Sequence, residues 1–62
     1  MRTWLKDIRL MKKATQEEIA ELSNISRSYY TQIELGLKTP NVDTAKKIAV
    51  ALGFDWSNFF KD

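Results

Sequence analysis

Arg27, Ser28, Thr31 and Gln32 recur at a spacing that places all four on one side of an α-helix. With Tyr30 taken as the inward reference, Ser28 and Gln32 lie near the opposite side of that helix. Arg27 and Thr31 flank them on one edge and Tyr29 on the other. The stripe combines a planar guanidinium fork, two hydroxyls and a carboxamide. Such groups suit base edges in a major groove, where Arg bonds guanine and Gln bonds adenine bidentately, each worth about 1–3 kcal/mol of discrimination. Set beside that is a plainer reading, a solvated helix face, which is what most polar stripes are.

Further polar residues cluster around the stripe. Thr15 and Gln16 open the preceding helix, beside free backbone amides that attract phosphate. Lys38 and Thr39 lie in the loop after the stripe, and Asn41 stands at the next helix cap, so the three together could clasp a second phosphate. Tyr29 either reaches a phosphate through its hydroxyl or lies against the protein. The plainer alternatives are a Gln that fills a helix start and a loop lysine that is merely solvated. Lys12, Lys13, Lys46 and Lys47 read as solvated helix residues.

Composition removes most other chemistry. The chain of 62 residues has no His and no Cys, so it offers no imidazole base, no thiol nucleophile and no ordinary zinc ligand set. No catalytic pair stands out, and the expectation is a protein that is not an enzyme and needs no metal, cofactor or small-molecule ligand. Without disulfides or zinc, stability must come from ordinary packing, which 44% hydrophobic content makes feasible. At this length the total is about 3–9 kcal/mol. No apolar run approaches the ~20 residues of a membrane span, and charges interrupt what would be a leader's apolar segment. A soluble, cytoplasmic, single domain over residues 1–62 is expected, away from membranes.

The net charge of +2 says little until it is divided along the chain. Residues 1–13 hold five basic side chains against Asp7, whereas residues 15–24 hold Glu17, Glu18 and Glu21 with no base. Such a distribution permits a local phosphate-binding patch and excludes a histone-like coat of charge.

The elements that must position these residues are helical. One Pro and two Gly leave little room for a turn-rich β fold. Leu5, Ile8 and Met11 mark a first helix over about residues 3–13. Thr15 and Glu18 make a capping box for a second, whose inner face is Ile19, Ala20 and Leu22. Asn24 suits a left-handed turn position. Ser26 caps a third helix running to about Leu35, with Gly36 beyond it. Asn41 caps a fourth, where Val42, Ala45, Ile48, Ala49 and Leu52 form an amphipathic face ended by Gly53. Asp55 caps a short fifth. The reading is all-α, five short helices around one core, with no internal repeat.

The second and third helices, joined at about Ser23–Ser26, have the outline of a helix-turn-helix. Arg9, Thr15-Gln16-Glu17-Glu18-Ile19-Ala20, Ile25-Ser26-Arg27-Ser28, Tyr30, Ile33-Glu34, Gly36 and Pro40 resemble the Cro/C1-type, Xre-like regulators. The run Thr44–Gly53 is also similar to that family, so the resemblance spans roughly residues 3–60. It implies a phage-repressor-like fold, base readers at Arg27, Ser28 and Gln32, and a Gln16 that bonds the DNA backbone while bracing the reading helix. It also implies a partly buried, structural salt bridge between Arg9 and Glu34. Family members often carry Gly where this chain has Lys13 and Asn24. A left-handed Lys costs about 1 kcal/mol or more, so the expectation is a differently built turn at Lys13.

Trp56, Phe59 and Phe60 either all close the core or leave part of their surface as a two-fold dimer contact. A chain ending at Asp62 leaves no separate dimerisation domain, and two reading helices about 34 Å apart match successive major grooves. A homodimer on a palindromic double-stranded operator is therefore expected, acting as a transcriptional regulator and most simply a repressor. The competing reading from another class is a protein-interaction module of the antitoxin or coactivator type. In it the C-terminal aromatics grip another protein and the polar stripe is incidental.

Overall fold

The computed structural model describes residues 1–61. Helices α1 (Thr3–Met11), α2 (Gln16–Leu22), α3 (Arg27–Glu34) and α4 (Val42–Leu52) follow in order, and a 3-10 helix over Trp56–Phe60 comes last. Among the described residues there is no strand. The fifth element is thus the tighter 3-10 form, common in short end pieces. No helix among the described residues is long and apolar enough to cross a membrane.

Local chemistry sets the helix starts. The Thr15 hydroxyl accepts from the Glu18 amide at 3.0 Å, while the Glu18 carboxylate accepts from the Thr15 amide at 2.7 Å. This reciprocal box satisfies two donors that the helix itself leaves unpaired. Ser26 accepts from the Tyr29 amide at 3.0 Å and Asn41 from the Thr44 amide at 2.8 Å. Asp55 accepts from the Ser57 amide at 3.0 Å, and these bonds hold its carboxyl below the usual carboxylate range. Between α2 and α3, Asn24 takes φ +57°. Lys13 takes the same left-handed value, so the turn after α1 is built as a glycine would build it, contrary to expectation.

The helices close over Leu5, Ile19, Ala20, Tyr30, Ile33, Ala45, Ile48, Leu52 and Phe59. Beside this core, Trp4, Phe54 and Phe59 meet edge-on or tilted, with ring centroids 5.2–5.6 Å apart. Phe59 is therefore corrected from a dimer contact to a core residue, only 6% exposed, whereas Trp56 is half-buried and Phe60 exposed.

Three apolar expectations are also corrected: Met11, Leu22 and Val42 are exposed. Along α2 the inner position belongs to Ser23, four residues after Ile19 and three after Ala20, and it is fully buried. Leu22 is turned about 100° away from it. Met11 is the last residue of α1 and Val42 the first of α4. On α4 the buried face is Thr44, Ala45, Ile48, Ala49 and Leu52.

Candidate nucleic-acid interface

Helix α3 is eight residues long, and its two sides have opposite fates. Tyr30, Ile33 and Glu34 are buried, while Arg27 and Ser28 are exposed and Thr31 and Gln32 half-buried. The last four residues line one shallow concavity. A neighbouring open groove runs from Lys13 past Thr15, Gln16 and Glu17 to Arg27, so Arg27 belongs to both. The start of α2 and the outer side of α3 thus share one surface.

A chain of hydrogen bonds fixes that surface from behind. Arg9 Nε and Nη2 donate to the two Glu34 carboxylate oxygens at 2.9 and 3.0 Å, a bidentate pair linking α1 to α3. Arg9 Nη1 also donates to the Ala14 carbonyl at 3.0 Å, tying down the turn before α2. Gln16 Nε2 donates to Glu34 Oε1 at 3.2 Å, and Thr31 Oγ1 donates to Gln16 Oε1 at 2.8 Å. One carboxylate therefore anchors α1, α2 and α3 together.

Burial works against the charge on Glu34, but the donors around it, the Arg9 guanidinium above all, outweigh it and hold its carboxyl below the ordinary range. The bond to Glu34 likewise raises the Arg9 guanidinium above its usual value, against burial. Beside this pair, burial pushes the Tyr30 hydroxyl well up, and that hydroxyl has no hydrogen-bond partner among the described residues.

The remaining candidates divide by how much of their polarity is already used. Thr31 has committed its hydroxyl to Gln16, whereas the side chains of Arg27, Ser28 and Gln32 make no hydrogen bond among the described residues. Thr15 and Asn41 are exposed but use their side-chain oxygens as caps. Tyr29 is half-buried and packs against the core. Lys38 and Thr39 are exposed just beyond α3, where the Leu37 and Lys38 amides donate to the Gln32 carbonyl at 2.9 and 3.3 Å. Polar groups thus stand along one edge of the outer stripe of α3 and beyond its C-terminal end.

Sequence reasoning missed Arg2. Its guanidinium donates to the Ile33 carbonyl at 2.6 Å, to the Lys38 carbonyl at 3.0 Å and to Thr39 Oγ1 at 3.0 Å. Partners 31 to 37 residues away leave no local pattern by which a single Arg could be singled out.

Residues 5–59 match the helix-turn-helix family. The chain belongs to the Cro/C1-type helix-turn-helix family. It is 55% identical over 62 residues to an uncharacterized HTH-type transcriptional regulator, YqaF, of Bacillus subtilis strain 168, covering 100% of this chain and 82% of that protein. It is 42% identical over 53 residues to the immunity repressor protein of Bacillus phage phi105, covering 86% of this chain and 37% of the repressor. The phage protein thus extends well beyond the shared part. No solved structure matches significantly. Within this helix-turn-helix chain, the family's frequent Gly positions are occupied by Lys13 and Asn24, and both keep the left-handed backbone.

Proposed function

We propose that this protein is a sequence-specific DNA-binding transcriptional regulator that represses by occupying an operator. One observation carries the reading. The outer side of α3 presents uncommitted polar side chains at Arg27, Ser28 and Gln32, while Glu34, on its inner side, is bonded to both α1 and α2. A helix held in this way presents donors and acceptors at defined positions, which base readout in a major groove requires. Gln16 and Thr15 along one edge of the stripe, Tyr29 in the first turn of α3, and Lys38, Thr39 and Asn41 beyond its C-terminal end supply the phosphate contacts that set register. The relatives' names, a transcriptional regulator and an immunity repressor, support the same reading. It involves no cofactor or small-molecule ligand, and it places the protein with the DNA in the cytoplasm.

The protein acts as a homodimer on a palindromic site. Its longest principal extent is 26 Å, whereas successive major grooves on one face of the duplex are about 34 Å apart. One copy therefore reads one half-site. Trp56 and the exposed Phe60, stacked edge-on with centroids 6.0 Å apart, form the contact between copies.

Selection of bound sites from random double-stranded DNA tests this. The expected result is an inverted repeat bound in a salt-sensitive complex, weakened by Arg27→Ala and by Gln32→Ala. Failure to enrich any sequence, with both variants behaving like wild type, would overturn the reading.

A further inference from the structure

We infer that Arg2 is a positioning residue for DNA binding, holding the Lys38–Thr39 loop against the C-terminal end of the reading helix and leaving the Thr39 hydroxyl proton free for a phosphate. The inference rests on the DNA-binding reading above and adds to it a residue outside the helix-turn-helix.

Arg2 joins the last turn of α3 to the loop that follows it, beside the backbone bonds from Leu37 and Lys38 to the Gln32 carbonyl. Its backbone amide donates to the Glu34 carbonyl at 2.8 Å, and Nη1 donates to the Ile33 carbonyl. Two carbonyls from the last turn of α3 thus receive donors from one residue, that of Ile33 accepting from the Gly36 amide as well. The cation also lies at the negative end of the helix dipole. Nη1 continues to the Lys38 carbonyl, and Nη2 reaches Thr39 Oγ1. The guanidinium lies 5.6 Å from the centroid of the buried Phe59 ring, so its position is referred to the core rather than to solvent.

The consequence for Thr39 is directional. A hydroxyl has one proton to donate and two lone pairs to accept with. Because Thr39 Oγ1 accepts from Arg2, its proton points elsewhere, and the charged donor polarises it toward stronger donation. Thr39 is exposed, so its hydroxyl can donate a hydrogen bond to a phosphate oxygen. Lys38, its carbonyl held by the same guanidinium, is kept beside it. Gly36 suits the close approach, since a Cβ there would come within 3.2 Å of the Met1 backbone nitrogen and its φ of +81° favours glycine.

The test measures binding of the full chain to its selected operator and to a scrambled duplex at one ionic strength. The variants are Arg2→Ala, Arg2→Lys, Thr39→Val and Arg2→Ala/Thr39→Val. Each Arg2 variant and Thr39→Val should lose about tenfold in affinity for both duplexes, leaving the preference between them unchanged. The double variant should lose no more than about twofold beyond Arg2→Ala alone, because the two residues act as one unit. A residue that merely stabilised the fold would shift the melting temperature without this coupling. Arg2→Lys keeps the charge but not the fork, so it decides the matter should Arg2→Ala unfold. Wild-type affinity in the Arg2 variants, or losses that simply multiply, would overturn the inference and leave the DNA-binding reading intact. Absence of binding by wild type to any selected duplex would overturn both.

Discussion

Gln16 and Thr31 are hydrogen-bonded side chain to side chain across the helix-turn-helix, with Thr31 Oγ1 donating to Gln16 Oε1 at 2.8 Å. The first residue of α2 is thereby tied to the outer half of α3. Gln16 serves Glu34 with its other atom, so its carboxamide is fully oriented before any ligand arrives.

This bond separates positioning from reading. Gln16→Ala and Thr31→Val should each weaken binding to all duplexes by similar factors. Gln32→Ala and Arg27→Ala should each relax preference at one base position, by about 1–3 kcal/mol. Competition binding against single-base operator variants distinguishes the two patterns. A change of preference at one position in Thr31→Val would return Thr31 to the base readers.

The Arg9–Glu34 pair should punish single removal far more than joint removal. Its side chains are only 9% and 2% exposed, so Glu34→Ala or Arg9→Ala strands a buried charge at about 3–5 kcal/mol. Against a total of about 3–9 kcal/mol, either substitution removes about a third or more of the stability. Arg9→Met/Glu34→Leu should recover much of the loss in urea denaturation. Its DNA binding should nonetheless stay poor, because Gln16 has lost its acceptor.

Glu34 also dictates an acid limb. Its carboxyl is held below the ordinary 4.5, so the folded state gains from its ionisation. That gain is complete above the unfolded value and is lost as pH falls through the folded one. The stability gap between wild type and Glu34→Gln, read from urea midpoints, should be constant near neutrality. It should close as pH drops below about 4.5. A gap that widened in acid would contradict the assignment.

Lys13 marks a place where the fold carries strain. At φ +57° it occupies a conformation that glycine adopts freely. Lys13→Gly should therefore stabilise the protein by about 1 kcal/mol, raising the thermal midpoint by roughly 4–8 °C. Asn24→Gly should do less, since Asn tolerates the same backbone better. Calorimetry on the two variants compares them directly.

The two terminal phenylalanines should behave oppositely. Phe59→Ala removes a core ring at about 3–5 kcal/mol and should unfold much of the protein. Phe60→Ser should leave the melting temperature nearly unchanged. It should shift sedimentation toward monomer and shorten the protected footprint to one half-site. A Phe60 variant with unchanged self-association would place the dimer contact elsewhere.

What the sequence determined by itself was everything carried by near neighbours. Thr15 with Glu18, Ser26, Asn41 and Asp55 announce their helix starts because a cap and its amide lie two or three residues apart. The outer stripe of α3 was legible for the same reason, since helical spacing alone places Arg27, Ser28 and Gln32 together. The tertiary structure decided which helix faces are covered. Periodicity gives the angle between Leu22 and Ile19 but not the direction from which α3 and α4 arrive, and so Ser23 is buried where Leu22 was expected. It also separated Phe59 from Phe60, whose order in sequence carries no sign of inside or outside. Finally it brought Arg2 to Ile33, Lys38 and Thr39. A contact between residues more than thirty positions apart depends on how the helices dock, and no pattern along the chain encodes it.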